Sequence, residues 1–139
     1  MTQLSFDLEN YINELRGVNF TKADIQSFLN KDSTFVSWVQ ETKLGSLWAD
    51  HNGAFIESIT HSSLSQQYKT WPYGNNQRLE FLGDAALDFF ISKVLLVRYP
   101  NEPEGSLSKL RSTLVNEESL AEWAKVIKLD QFILLGNGE

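Results

Sequence analysis

The sequence predicts an all-α fold. Apolar residues recur at three- and four-residue spacings along most of the chain, with little of the alternation that marks a half-buried strand. Capping and turn signals punctuate those runs at helix-length intervals, and no internal repeat interrupts them. A chain of 139 residues with 42% hydrophobic and 12% aromatic content is long enough for one domain with a modest core.

The elements follow in order. Phe6, Leu8, Ile12 and Leu15 suggest a first helix closed near Gly17. Thr21 with Asp24 has the form of a capping box opening a second helix through Ile25, Phe28 and Leu29. A third begins after Asp32 or Ser33, runs through Phe35, Trp38 and Val39, and stops by Gly45. Asp50-His51-Asn52-Gly53 reads as a turn. The next helix carries Phe55, Ile56, Ile59 and His61, and a polar stretch over residues 62–76 follows it. The four tryptophans read as packing residues.

From Leu79 to Val97 apolar residues fall on every side of the helical wheel, which predicts a buried helix. Glu80 and Asp84, spaced i and i+4, rise from one stripe of it, with Gln77 a turn earlier. Two like charges on a buried stripe require a counterion. Only Arg78 and Lys93 are cationic nearby, and Arg78 should point away from that stripe, so a divalent cation is the economical answer; hard carboxylate oxygens favour magnesium or manganese. Asp88 reads as a solvent-edge acid. Gly83 is expected to admit a close backbone neighbour between the two acids. Tyr99-Pro100 ends the helix and residues 101–105 form a turn. Ser106 or Ser108 then caps a helix over 106–115 carrying Leu110, Leu114 and Val115. A last helix runs from Glu117 to Ile127 with Leu120, Trp123 and Ala124 inward.

Residues 76–85, Asn-Gln-Arg-Leu-Glu-Phe-Leu-Gly-Asp-Ala, resemble the signature of the ribonuclease III family, N-E-R-L-E-F-L-G-D-A, differing only at Gln77. The resemblance continues collinearly over residues 54–139, through Thr60-His61-Ser62, Arg98-Tyr99-Pro100, Glu104-Gly105-Ser106-Leu107-Ser108, Leu110-Arg111-Ser112-Thr113-Leu114-Val115 and Leu135-Gly136-Asn137-Gly138-Glu139. It implies that Glu80 and Asp84 bind magnesium and are catalytic, that Gln77 and Glu104 support them, and that the protein forms a homodimer. It also implies hydrolysis of double-stranded RNA to 5′-phosphate and 3′-hydroxyl ends, with the A-form duplex recognised by shape and 2′-hydroxyls. Gln77 stands where the family has a glutamate: it can hydrogen-bond a water but adds no charge. Lys109 and Arg111 are candidate phosphate contacts, though a solvated face explains them equally well.

The family completes its site with an Asp-x-x-Glu pair on a later helix, and no Asp-x-x-Glu occurs in these residues. The expectation is therefore a ribonuclease III-like helical domain incomplete at its C-terminus, with residues 1–45 an N-terminal helical extension and residues 46–139 the family portion. A separate chain or segment would supply the missing helices, and the chain alone would be inactive. Two functions stay open. One is a magnesium-dependent endoribonuclease domain in RNA processing; the other is a non-catalytic ribonuclease III-fold scaffold or RNA-binding component of a ribonucleoprotein.

Composition narrows the rest. With no cysteine, neither disulfides nor thiolate metal sites are available. Lacking a signal-peptide pattern or a membrane-length apolar run, the chain reads as soluble and cytoplasmic, without a membrane partner. A net charge of −6 argues against gripping nucleic acid through bulk charge. His61 reads as structural, since neither histidine has an acid at a recognisable metal-ligand spacing. Ser62 and Ser63 lack the G-x-S-x-G elbow of a hydrolase.

Overall fold

The computed structural model describes residues 21–137, and the helix expected through Phe6 to Leu15 lies outside them. Among the described residues the protein is all-helical: α1 (Lys22–Lys31), α2 (Ser33–Glu41), α3 (Gly45–Ile59), α4 (Ser62–Gln67), α5 (Gln77–Arg98), α6 (Glu104–Leu114), α7 (Glu117–Val126) and a 3-10 turn at Leu129–Gln131. A single parallel bridge, Thr60 with Leu134, is the extended pairing among them.

The described residues divide into two compact units, one built from residues 21–77 and 130–137, the other from 78–129. The division follows packing, whereas the one at residue 45 follows resemblance. In the first unit the capping box at Thr21 and Asp24 opens α1 with both reciprocal bonds made. Asp32 caps α2 by accepting the Thr34 and Phe35 N–H groups, each at 2.9 Å. Far from wrapping a core assembled elsewhere, α1 and α2 contribute its centre. Phe35 is fully buried, and Trp38 stacks on Phe132 with ring centroids 4.4 Å apart. Phe55 and Trp48 meet Phe35 edge-on. The segment after the 3-10 turn thus closes this core, placing Phe132 against Phe35 and Trp38 of α2 and pairing Leu134 with Thr60 at the end of α3.

Several local expectations are refined or corrected here. The turn expected over Asp50 to Gly53 reduces to a kink at the single non-helical residue His51 (φ −138°, ψ 37°), where two helical stretches meet within α3. The stop expected by Gly45 is made at Lys43 (φ 60°): the Leu44 N–H reaches back to Val39 O at 3.0 Å and the Lys43 N–H to Gln40 O at 3.2 Å, closing a Schellman turn on a lysine. His61 ends no helix but caps the next one, α4. Pro103, with no side-chain cap, precedes α6, so neither Ser106 nor Ser108 caps it; proline's fixed φ starts the turn two residues early.

The second unit overturns the burial expected of the long helix. Of α5 only Leu95 is buried, while Phe81 is 82% and Val97 78% exposed. Apolar composition on all sides shows what a helix can bury, and covering it also takes neighbours on all sides. Trp123 on α7 is likewise 43% exposed, against the inward placement expected of it. No helix of the described residues is long and apolar enough to cross a membrane.

Candidate functional site

Glu80 and Asp84 both lie on α5 and both are exposed. The counterion argument from burial therefore loses its premise. What stands is the spacing, which sets two carboxylates a turn apart on one side of a rigid helix. Gly83 between them admits no close neighbour, for a Cβ there would meet nothing within 4 Å. Arg78 and Lys93 form no ion pair, the single one among the described residues being Lys125 with Glu122 at 3.2 Å. Asp88 is exposed, as expected, and its carbonyl accepts the Ser92 hydroxyl at 2.7 Å.

Gln77 opens α5, its N–H donating to Asn75 Oδ1 at 3.2 Å, and is itself exposed. Asn75 in turn donates to Ser65 Oγ at 3.2 Å, and the Asn76 N–H donates to the Thr60 carbonyl at 2.8 Å. The sequence offered no sign of these bonds from Asn75 and Asn76, beyond the turn preference of an Asn-Asn pair.

Glu104 is the first residue of α6 and accepts the Ser108 hydroxyl at 2.6 Å. It shares a pocket with Ser92, Leu95, Leu96, Leu107 and Arg111. Leu95 lies three helical turns beyond Asp84, roughly 16 Å along the axis. One chain therefore does not bring Glu104 to the Glu80–Asp84 pair. Arg111 is half-buried, and its Nη1 donates to Ser92 Oγ at 2.8 Å, tying α6 to α5. Lys109 is exposed.

As a cation site, the pair offers two hard oxygen donors, the right chemistry for magnesium or manganese. No three of His, Cys, Asp and Glu converge among the described residues. Glu80 and Asp84 thus fit part of a magnesium shell, the remainder falling to water, substrate or other protein groups.

His61 is placed as a structural residue. Its Nδ1 accepts the Ser63 N–H at 3.3 Å and shares a hydrogen with Ser63 Oγ at 2.8 Å. Ser63 Oγ also accepts the Gly136 N–H at 2.9 Å, and Gln67 Oε1 the Asn137 N–H at 2.6 Å. A Cβ at position 136 would fall 2.8 Å from the Ser63 backbone, so that clamp requires glycine. The clamp accounts for Ser63 without hydrolase chemistry.

The Ribonuclease-III-like family profile matches residues 53–139 of the chain. Ribonuclease 3 of Streptococcus thermophilus (strain ATCC BAA-491 / LMD-9) is 51% identical over 82 residues, 59% of this chain and 36% of that protein. Ribonuclease 3 of Streptococcus sanguinis (strain SK36) is also 51% identical over 82 residues, covering 59% and 35%. The chain thus spans about a third of the length of the curated relatives it matches. Among solved structures, the nuclease domain of ribonuclease III from Campylobacter jejuni superposes with a TM-score of 0.57 at 41% identity, covering 65% of this chain and 59% of that one. Structural flexibility is described there in a region involved in dimer formation.

Proposed function

The chain belongs to the ribonuclease-III-like family, and on that premise we propose that it is the metal-binding part of an endoribonuclease acting on double-stranded RNA. The observation that carries this reading is the exposed Glu80–Asp84 pair, one turn apart on α5 inside the segment that matches the family signature. The two carboxylates would hold magnesium, which supplies charge neutralisation at the scissile phosphate when bound. Being exposed, they reach a phosphodiester without any rearrangement of a core. Hydrolysis would leave 5′-phosphate and 3′-hydroxyl ends. A homodimer is part of the proposal, supported by the dimer-forming region of the Campylobacter jejuni nuclease domain.

A second reading, a non-catalytic scaffold or RNA-binding component, is favoured by Gln77 in place of a carboxylate and by the lack of a third convergent ligand among the described residues. One assay separates the two. Chelator-sensitive cutting of a long RNA duplex that disappears in Asp84→Asn supports the nuclease. No cutting by a folded chain that still binds the duplex supports the scaffold.

A further inference from the structure

Gln77 begins the stripe of α5 that Glu80 and Asp84 continue, and it is the neutral member of the three. Its backbone is held, the N–H donating to Asn75 Oδ1 at 3.2 Å, while its side-chain amide is exposed and has no hydrogen-bond partner among the described residues. Asn75 is itself fixed by its bond to Ser65 Oγ, so the amide projects from a set base. Gln77 precedes the midpoint of the two acids by about five residues, or about 7.5 Å of helix rise. All three side chains lean toward the helix N-terminus alike, so that offset carries over to their tips. The amide is therefore too far along the axis to be an inner ligand of a magnesium ion shared by both carboxylates, whose oxygens stand at about 2.0–2.1 Å. It is placed instead for a phosphate that gives one oxygen to the cation and a second to an amide N–H.

Charge points the same way. One divalent cation balances Glu80 and Asp84, and a neutral amide keeps that balance, so an incoming phosphate meets no surplus negative charge within a Debye length. A carboxylate at position 77 would bring the surplus back. We propose, on the reading of the chain as the metal-binding part of a nuclease, that Gln77 is a substrate-binding residue: its side-chain N–H donates to a non-bridging phosphate oxygen of the RNA. The amide thus serves the substrate, and the two acids serve the cation.

The test uses the full 139-residue chain and its Gln77→Ala and Gln77→Glu variants, with folding checked by circular dichroism. Anisotropy of a fluorescent RNA duplex is read in calcium, which takes the same oxygen ligands. Gln77→Ala should weaken duplex binding about fivefold, the loss of one hydrogen bond, and Gln77→Glu at least as much through added repulsion. The Gln77→Ala loss should persist on a 2′-fluoro RNA duplex, which keeps the phosphates and lacks the 2′-hydroxyls. Manganese titration followed by electron paramagnetic resonance should show Gln77→Ala binding the ion as the parent chain does, Gln77→Glu more tightly, and Asp84→Asn hardly at all. A parent chain that does not bind the duplex overturns the proposal, as does a Gln77→Ala loss that vanishes on the 2′-fluoro duplex. So does manganese affinity that falls in step with duplex affinity in Gln77→Ala, which would assign the amide to the cation's shell. Manganese binding that Asp84→Asn leaves unchanged removes the nuclease reading and this inference with it, whereas unchanged duplex binding in Gln77→Ala removes the inference alone.

Discussion

Two phenylalanines of equal hydrophobicity should respond oppositely to truncation. Phe132 is 1% exposed, stacked on Trp38 with planes 18° apart, and edge-on to Phe35 at 6.0 Å. Replacing it with alanine leaves a ring-sized void between two fixed aromatic faces, at a cost of about 3–5 kcal/mol. Each lost ring pair accounts for roughly 0.5–1.5 kcal/mol of that. Phe81, 82% exposed on α5, should cost no more than about 0.5 kcal/mol on the same change. Urea unfolding followed by tryptophan fluorescence reads the difference, with Trp38 reporting on the Phe132 contact directly. For a denaturant slope of about 1–3 kcal/mol per molar, Phe132→Ala should lower the midpoint by at least about 1 M while Phe81→Ala leaves it in place. A loss under about 1 kcal/mol for Phe132→Ala would refute its place at the core. A loss above about 2 kcal/mol for Phe81→Ala would show that this face of α5 is packed.

Lys43 holds a left-handed backbone at the Schellman turn after α2, so Lys43→Gly should stabilise the chain by about 0.5–1 kcal/mol, seen as a raised thermal midpoint; a lowered midpoint would mean that the lysine side chain contributes more than its backbone costs. Burial raises the Tyr73 phenol above its ordinary 10.0, opposed by a hydrogen bond with Gln26, and the phenol proton is donated to the Lys22 carbonyl at 3.1 Å. With the folded value above the unfolded one, stability is intact below about pH 10 and falls as pH rises from the unfolded toward the folded value. Tyr73→Phe should flatten that alkaline limb in thermal melts, and an unchanged slope would count against it.

The helices were legible in the sequence wherever a local interaction makes them. Thr21 with Asp24 and Asp32 before α2 act within three residues, so their effect is written in adjacent letters. What the sequence misplaced depends on distant partners. His61 was read as the tail of one helix because nothing near it announces Leu134, whose carbonyl accepts the His61 N–H at 2.9 Å and draws the chain out of helical geometry there. The burial of α5 was overestimated since composition records appetite for neighbours without supplying them. In the candidate site, the i, i+4 relation of Glu80 and Asp84 follows from helix geometry alone. The remoteness of Glu104 and the Arg111–Ser92 hydrogen bond follow from how α6 folds back on α5, which residue types do not encode.

The return of Phe132 to Trp38 also sets a clock on synthesis. A ribosome adding about 5–20 residues per second needs roughly 5–20 seconds to travel from position 38 to position 132. Until Phe132 is made, the rings of Phe35 and Trp38 lack the partner that covers them in the folded chain. The whole 78–129 unit is made in the meantime, as an insertion whose two ends both emerge from the first unit. Closing so long a loop adds only slowly to the entropy cost, because that cost grows with the logarithm of length. The burden of this chain order is therefore borne in time, as a nascent aromatic surface open to chaperones and to neighbouring chains, more than in the stability of the finished protein.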